Sequence, residues 1–218
     1  MNKSSISDSF FRMKLELLKS IVPLTFENKW KLASHRNDIK IHLKLDEKSG
    51  LYFVRAEASV EASMSKIIEL LKDNDRVTSY DSTIELLKIL EEKDNHWVVY
   101  TLSKKPSLII DKRDCVTLTK FQQENDGTCI FVGGSIPHPD YPVKQSPVRC
   151  EIPLWGWILT PRNGNTTNLI YIVLVDPKGS VPKSMINTFY KDQAMSVRNV
   201  RNIVEDKKNP KKIIKPKL

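Results

Sequence analysis

The chain has little glycine and no long apolar run, and these two shortages remove several classes of site from consideration. Its apolar stretches are far shorter than the ~20 residues that a membrane-spanning helix needs. Only 7 of the 218 residues are glycine, and neither phosphate-cradling pattern, G-x-x-x-x-G-K or G-x-G-x-x-G, occurs. The sequence therefore offers no candidate transmembrane helix and no common nucleotide-binding motif.

Histidine and cysteine are sparse as well. The four histidines are scattered, and none lies in H-E-x-x-H or beside a cysteine pair at zinc spacing, so we expect neither a metal nor a cofactor. Cys115, Cys129 and Cys150 fall in strand-like segments, which favours reduced, buried thiols of a cytosolic protein. No nucleophile motif is complete, because Gly133-Gly134-Ser135 does not fit G-x-S-x-G. We therefore expect no catalytic residues, although catalytic groups can converge from distant positions.

The positive charge is concentrated at one end of the chain. Six of the last twelve residues are lysine and none is acidic, and without those lysines the net charge falls from +9 to +3. Such a tail is either a disordered solubilising end or a segment attracted to anionic lipid head groups, at about 1 kcal/mol per lysine. Having no arginine or aromatic residue to stack on bases, it predicts no nucleic-acid partner. The N-terminal residues also lack a signal-peptide core, so we expect a cytoplasmic protein that associates peripherally with membranes.

Apolar periodicity predicts the secondary structure. Helical spacing occurs at 6–22, at 63–72 and from Pro182 onward. Strand patterns occur at 39–45, 51–59, 84–91, 97–102, 113–121, 128–136, 148–159 and 169–175. Tight turns join most of these strands, which favours one large antiparallel sheet in an α+β domain over βαβ winding. The proline-rich segment at 137–142 is predicted to be a stiff surface loop.

The end of the chain passes from a buried strand to a long helix. The apolar run at 169–175 stops at Asp176-Pro177, and Pro182 then opens an amphipathic pattern that extends to Val204. A helix placed across a sheet in this way either closes a solid core or covers a cavity. Trp155 and Trp157 share one strand face, which is either exposed to solvent or lines such a cavity with a few polar anchors.

Three motifs occur in an order typical of one known family. K-R-D at 112–114 opens a strand, P-V-R at 147–149 opens another after the proline-rich loop, and D-P-K-G at 176–179 precedes the last helix. Together they resemble the steroidogenic-acute-regulatory-protein-related lipid transfer (START) domain over about residues 25–204. The resemblance implies a helix-grip fold, in which a curved antiparallel β-sheet wraps around a long C-terminal helix and leaves an internal lipid tunnel.

The same resemblance divides the chain and implies its function. It implies an N-terminal helix at 1–24 within the same domain, a START lipid-binding domain at 25–205 and a basic tail at 206–218. The implied activity is non-catalytic binding of a single lipid and its transfer between membranes by a monomer, and the basic tail would favour its transient contact with the membrane surface. Phosphatidylcholine-transfer-like members are the most similar in pattern, so we expect a phospholipid first, with a sterol or ceramide next. A lipid sensor and a helix-grip enzyme acting on a hydrophobic substrate are the alternatives.

Nine residues are expected to contact the lipid. They are Asp81, Tyr100, Arg113, Cys115, Val132, Arg149, Trp155, Met185 and Phe189. The charged members would anchor the polar head, although paired charges at strand starts can instead hold the fold. The strand members would line the tunnel, the two α-helical members would form its other wall, and the loop at 137–147 with the helix from Pro182 would form a lid.

Two departures from the known patterns bear on the identity of the lipid. Asp81 matches the acidic position of the choline site in the phosphatidylcholine-transfer members. The aromatic-cage positions of that choline site, however, fall on Thr101, Cys115 and about Pro153 in this chain, and none of these residues has an aromatic ring. The interior arginine of the sterol-transfer members falls on Thr119. Neither subclass is reproduced in full.

Overall fold

One sheet forms the framework of the protein, which is described over residues 3–206 by a computed structural model. The helices are α1 (Lys3–Ile21), α2 (Met64–Lys72), α3 (Val77–Tyr80) and α4 (Lys183–Val204). The strands are β1 (Lys31–Arg36), β2 (Ile39–Leu45), β3 (Tyr52–Val60), β4 (Ile84–Lys93), β5 (His96–Ser103), β6 (Arg113–Gln123), β7 (Cys129–Ser135), β8 (Val148–Arg149), β9 (Glu151–Pro161) and β10 (Thr167–Asp176). The lysines of the predicted basic tail lie outside the described residues.

The sheet is open and almost wholly antiparallel. Its strand order is β1-β2-β3-β10-β9-β7-β6-β5-β4, and the short β8 pairs in parallel with β6. With α4 against one face, this arrangement confirms the predicted α+β helix-grip fold. The sequence did not predict β1, because five of its six residues are exposed and no apolar alternation marks it. Pairing with β2 holds it in place.

The central strands are apolar on both faces, which explains the uninterrupted apolar run of β10. Successive side chains of a strand point to opposite faces, so each strand contributes to two separate cores. On the inner face, toward α4, the core includes Val54, Ala56, Ala58, Phe131, Trp157, Leu159, Leu169, Tyr171 and Val173. On the outer face, toward α1, it includes Ile130, Val132, Leu154, Ile158, Ile170, Ile172 and Leu174.

Helix α1 lies directly on the outer face of the sheet. Leu18 is fully buried there, and Lys14 Nζ donates a 2.6 Å hydrogen bond to the carbonyl of Pro153. The close approach depends on Gly156 of β9, where an added Cβ would lie 3.1 Å from a Leu18 methyl carbon and 2.8 Å from the Phe131 carbonyl oxygen. The outer core is therefore solidly packed.

Helix α4 covers the inner face unevenly. Val197, Val200 and Val204, in its C-terminal half, are buried in the inner core. Ile186 and Phe189, in its N-terminal half, are only partly buried. The difference arises because the N-terminal half faces an internal space.

Candidate functional site

A cavity of about 600 Å³ lies between the inner face of the sheet and the N-terminal half of α4. Its walls come mainly from strands β4, β5, β6, β9 and β10, from α3 and from α4. Most of the lining side chains are apolar or aromatic, and they include Leu71, Val77, Ile84, Leu87, Trp97, Phe131, Trp155, Trp157, Ile186 and Phe189. A volume in the range of about 300–1,000 Å³ with a largely apolar lining is typical of sites that enclose one small molecule.

Six of the nine residues predicted from sequence line this cavity. They are Asp81, Arg113, Cys115, Trp155, Met185 and Phe189. The structure thus brings together residues from the α3–β4 connection, from strands β6 and β9 and from α4. Contact of these side chains with a lipid stays a prediction.

Tyr100 and Val132 are placed differently from the prediction. Val99 and Thr101 of β5 line the cavity, so Tyr100 between them points to the other face, where its ring stacks at 4.7 Å on Tyr141. Val132 belongs to the outer core against α1. Neither side chain lines the cavity wall.

Arg149 also lies outside the cavity lining, because it forms a bidentate ion pair. Its Nε and Nη2 atoms lie 2.8 and 3.0 Å from the two carboxylate oxygens of Asp114, and its Nη1 and Nη2 atoms donate to the carbonyl of Tyr141. The hydrogen bond to Asp114 raises the pKa of Arg149. The pair fastens β8 and the proline-rich loop to β6.

Arg113 lines the cavity, but its guanidinium donates hydrogen bonds to backbone carbonyl groups. Its Nε, Nη1 and Nη2 atoms donate to the carbonyls of Pro177, Asp111 and Lys178, at 3.2, 2.6 and 3.2 Å. These bonds tie the start of β6 to the turn that leads into α4. The observed contacts of Arg113 and Arg149 are therefore those expected of residues that hold the fold together.

A polar network crosses the cavity from the sheet to the α3–β4 connection. The Tyr171 hydroxyl donates to Gln193 Oε1 at 2.8 Å, and Gln193 Nε2 donates to Thr83 Oγ1 at 3.1 Å. The Thr83 hydroxyl and backbone N–H both donate to Asp81 Oδ1, at 2.6 and 2.9 Å. Every donor along this chain points toward the carboxylate.

Burial sets the ionisation of this network. Loss of water raises the pKa of the Asp81 carboxyl, and the hydrogen bonds from Thr83 oppose that effect only in part. Burial likewise raises the pKa of Tyr171, which stays a neutral donor. Asp192 also lines the cavity, and its pKa is raised first by burial and then by the charge of Asp81.

One further polar group faces the cavity next to this network. The Ser196 hydroxyl is buried, and no hydrogen-bond partner for it occurs in the part of the chain that the structure describes. Gln193 and Ser196 lie one helical turn apart on the apolar face of α4, a signal that the sequence analysis missed. A buried hydroxyl without a partner is costly, so its position favours a ligand that supplies one.

The cavity borders an exposed loop at 104–112. Lys104, Lys105, Pro106 and Ile110 contribute to the lining, while the neighbouring Leu108 and Ile109 are 94% and 87% exposed. None of the residues at 137–147 lines the cavity, so the loop at 104–112 takes the position that the sequence analysis gave to the proline-rich loop. The loop beside the cavity is therefore the one at 104–112, and the prediction that the proline-rich loop lies there is wrong.

Over residues 3–206, no group of three or more histidine, cysteine, aspartate or glutamate side chains is placed to hold a metal ion. Within that same range, no helix combines the length and apolar character needed to span a bilayer.

Comparison with known families gives a consistent result. The START domain family model matches residues 18–204. Steroidogenic acute regulatory protein, mitochondrial, from Gallus gallus is 27% identical over 191 residues, covering 84% of this chain and 67% of the relative. The Homo sapiens protein of that name is 24% identical over 175 residues, covering 78% of this chain and 61% of its own length. The chain thus spans about three fifths of the human relative.

Solved structures agree on the fold. Human StAR-related lipid transfer protein 5 superposes with a TM-score of 0.84 at 20% identity, covering 93% of this chain and 98% of that one. A STAR-related lipid transfer protein fragment from Xanthomonas axonopodis gives a TM-score of 0.69 at 22% identity, covering 81% and 98%. These comparisons do not distinguish the phosphatidylcholine-transfer subgroup.

Proposed function

The chain belongs to the START domain family of lipid-binding and lipid-transfer proteins, and from that premise we propose that it binds one lipid in the cavity and carries it between membranes without covalent chemistry. The observation that carries the proposal is the largely apolar cavity of about 600 Å³, on whose wall Tyr171, Gln193, Thr83 and Asp81 form a hydrogen-bonded network. Each buried CH₂ of a lipid gains about 0.8 kcal/mol over water, so a dry carrier removes the main barrier to movement between bilayers.

The polar groups favour a lipid whose head is a hydroxyl. A hydroxyl both donates and accepts, so it matches the two kinds of polar group that line the cavity here, the Asp81 carboxyl, which accepts, and the Ser196 hydroxyl, which can donate. A phosphate beside this network would meet the carboxyls of Asp81 and Asp192, and any ionised carboxyl would cause repulsion; the lysines of the lining, Lys72, Lys104 and Lys105, lie on α2 and on the loop at 104–112. Because the Arg113 guanidinium already donates to three carbonyls, it is poorly placed to offset that repulsion.

The lipid we propose is therefore a compact, neutral one of the sterol or ceramide class, in preference to the phospholipid expected from sequence. Transfer assays with labelled donor liposomes test both levels of this proposal. Sterol or ceramide should move faster with protein than in buffer, and phosphatidylcholine should not. Movement of phosphatidylcholine alone would overturn the lipid class, and movement of none of the three would overturn transfer itself.

Delivery requires contact with a membrane, and we assign that contact to the loop at 104–112. Its apolar tip, Leu108 and Ile109, is exposed beside the cavity, and Lys104, Lys105 and Lys112 flank it. Apolar side chains ringed by lysines match an anionic bilayer surface. In this proposal the protein acts as a cytoplasmic monomer that binds membranes peripherally, with the basic tail adding electrostatic attraction.

Changing both Leu108 and Ile109 to aspartate should lower the transfer rate at least tenfold and leave lipid binding in solution unchanged. Burying each side chain in the bilayer is worth about 1.5–3 kcal/mol, and each 1.4 kcal/mol is a factor of ten. Liposome transfer and vesicle co-sedimentation measure the effect. Phe26→Asp is the matched control, because Phe26 is 96% exposed in a different loop. Equal losses in both variants would contradict the assignment.

A further inference from the structure

Two thiols lie side by side in the cavity wall. Strands β6 and β8 pair in parallel with Asp114 opposite Arg149, and the N–H of Cys150 donates to the Asp114 carbonyl at 2.9 Å. This register places Cys115 opposite Cys150 on the cavity side, and both residues line the cavity. The two thiols are close enough for each to shift the pKa of the other.

The pair has the geometry for a covalent bond. Neighbouring strands lie about 4.8 Å apart, and a disulfide joins Cα atoms separated by about 4.4–6.8 Å. The spacing of neighbouring strands therefore falls within the range that a disulfide can bridge. Both side chains are reduced in the structure and are shielded from bulk solvent, so an oxidant would reach them through the apolar cavity.

The two sulfur atoms are not equivalent. Thr101 Oγ1 lies 2.8 Å from Cys115 Sγ, on the side away from Cys150. Interaction with Cys150 lowers the pKa of Cys115, and the contact with Thr101 acts in the same direction. Of the two sulfur atoms, Cys115 is the one with a hydroxyl neighbour outside the pair that can stabilise a thiolate, so it is the candidate for the attacking sulfur and Cys150 for the thiol that resolves it.

We propose that Cys115 and Cys150 form a reversible disulfide when an organic hydroperoxide enters the cavity. Cys115 sulfur attacks the terminal peroxide oxygen, an S–O bond forms and the O–O bond breaks, and the leaving alkoxide takes the Cys115 proton as an alcohol. Cys150 sulfur then attacks Cys115 sulfur, the S–S bond forms and the S–O bond breaks, and the hydroxide leaves with the Cys150 proton as water. Two thiols are oxidised and one hydroperoxide is reduced.

This modification goes beyond lipid transfer and does not depend on which lipid is carried. It requires only that a hydroperoxide with an apolar body can enter the cavity. Such molecules arise wherever unsaturated lipids are oxidised, so an apolar carrier is exposed to them.

Limiting cumene hydroperoxide added to the reduced full-length protein provides the test. The number of free thiols measured after denaturation should fall from three to one, and a peptide pair linked through Cys115 and Cys150 should appear in mass spectra. Dithiothreitol should restore all the thiols. Cys129→Ala is the matched control, since Cys129 is buried on a different strand and burial raises its pKa; this variant should form the same linked pair. In Cys150→Ala, dimedone should trap a sulfenic acid on Cys115.

Three results would overturn the proposal. One is a full set of free thiols after treatment, another is sulfinic acid at Cys115 with no linked peptide, and the third is a disulfide that joins two chains. Each is read from the wild-type protein, so the conclusion does not depend on the folding of the variants. Lipid transfer by the reduced protein is measured separately, which keeps its failure distinct from failure of the disulfide.

Discussion

Replacing Arg149 with methionine is expected to lower the free energy of unfolding by about 3–5 kcal/mol, because the Asp114 carboxylate would remain buried without its partner. Asp114 is only 7% exposed, and both of its oxygens accept from the guanidinium. The substitution also removes the two bonds to the Tyr141 carbonyl, so the proline-rich loop should loosen as well. Urea unfolding, followed by circular dichroism, measures the effect.

Two controls separate loss of the pair from loss of an arginine. Arg162→Met changes an exposed arginine and should alter stability by less than about 0.5 kcal/mol. Asp114→Leu combined with Arg149→Met removes both charges, and an uncharged pair of similar volume should recover much of the lost stability. A single Arg149→Met variant as stable as wild type would show that the pair contributes nothing to the fold.

Replacing Asp81 with asparagine should lower lipid transfer by about 10–100-fold, since a hydrogen bond to a charged group is worth about 1.5–3 kcal/mol. The stability of the variant at neutral pH should equal or exceed that of wild type, because the buried negative charge is gone while Thr83 can still donate to the amide oxygen. Asp140→Asn, at an exposed position outside the cavity, should transfer normally. Full transfer by Asp81→Asn would remove Asp81 from the proposed site.

The pH dependence of stability gives an independent check on the same residue. Burial raises the pKa of Asp81 in the folded state above its value in the unfolded chain. As the pH falls through the folded-state pKa, the folded protein takes up a proton that the unfolded chain does not yet bind, so Asp81 makes the protein more stable toward acid. The difference in stability between Asp81→Asn and wild type should therefore shrink as the pH is lowered from neutral toward about 4.

Sequence periodicity predicted most of the fold because burial leaves a direct mark on it. The apolar run of β10 has both faces covered, and α4 shows helical spacing from its first turn. Strand β1 left no such mark, since it is held by backbone pairing while its side chains face solvent. Periodicity thus detects elements with a buried face and misses those without one.

The site was harder to predict than the fold. Alternation identifies which residues of a strand share a face, but it does not identify the inner face, and Val132 and Tyr100 were assigned to the wrong one. The polar network was missed for another reason. Gln193 and Thr83 lie 110 residues apart and Tyr171 and Gln193 lie 22 apart, so no local spacing links them. Only the packing of α4 on the sheet brings them together.

Helix α4 is closely packed at its C-terminal end and only weakly supported at its N-terminal end. Val197, Val200 and Val204 are held by close-packed neighbours, whereas Ile186 and Phe189 rest over empty volume. Detaching the first turns would break few contacts, so the helix can fray or swing there while its other end stays seated. The cavity thereby lowers the free energy that is needed to detach the N-terminal turns of α4. A bound lipid that fills the cavity should raise that free energy and hold these turns in place.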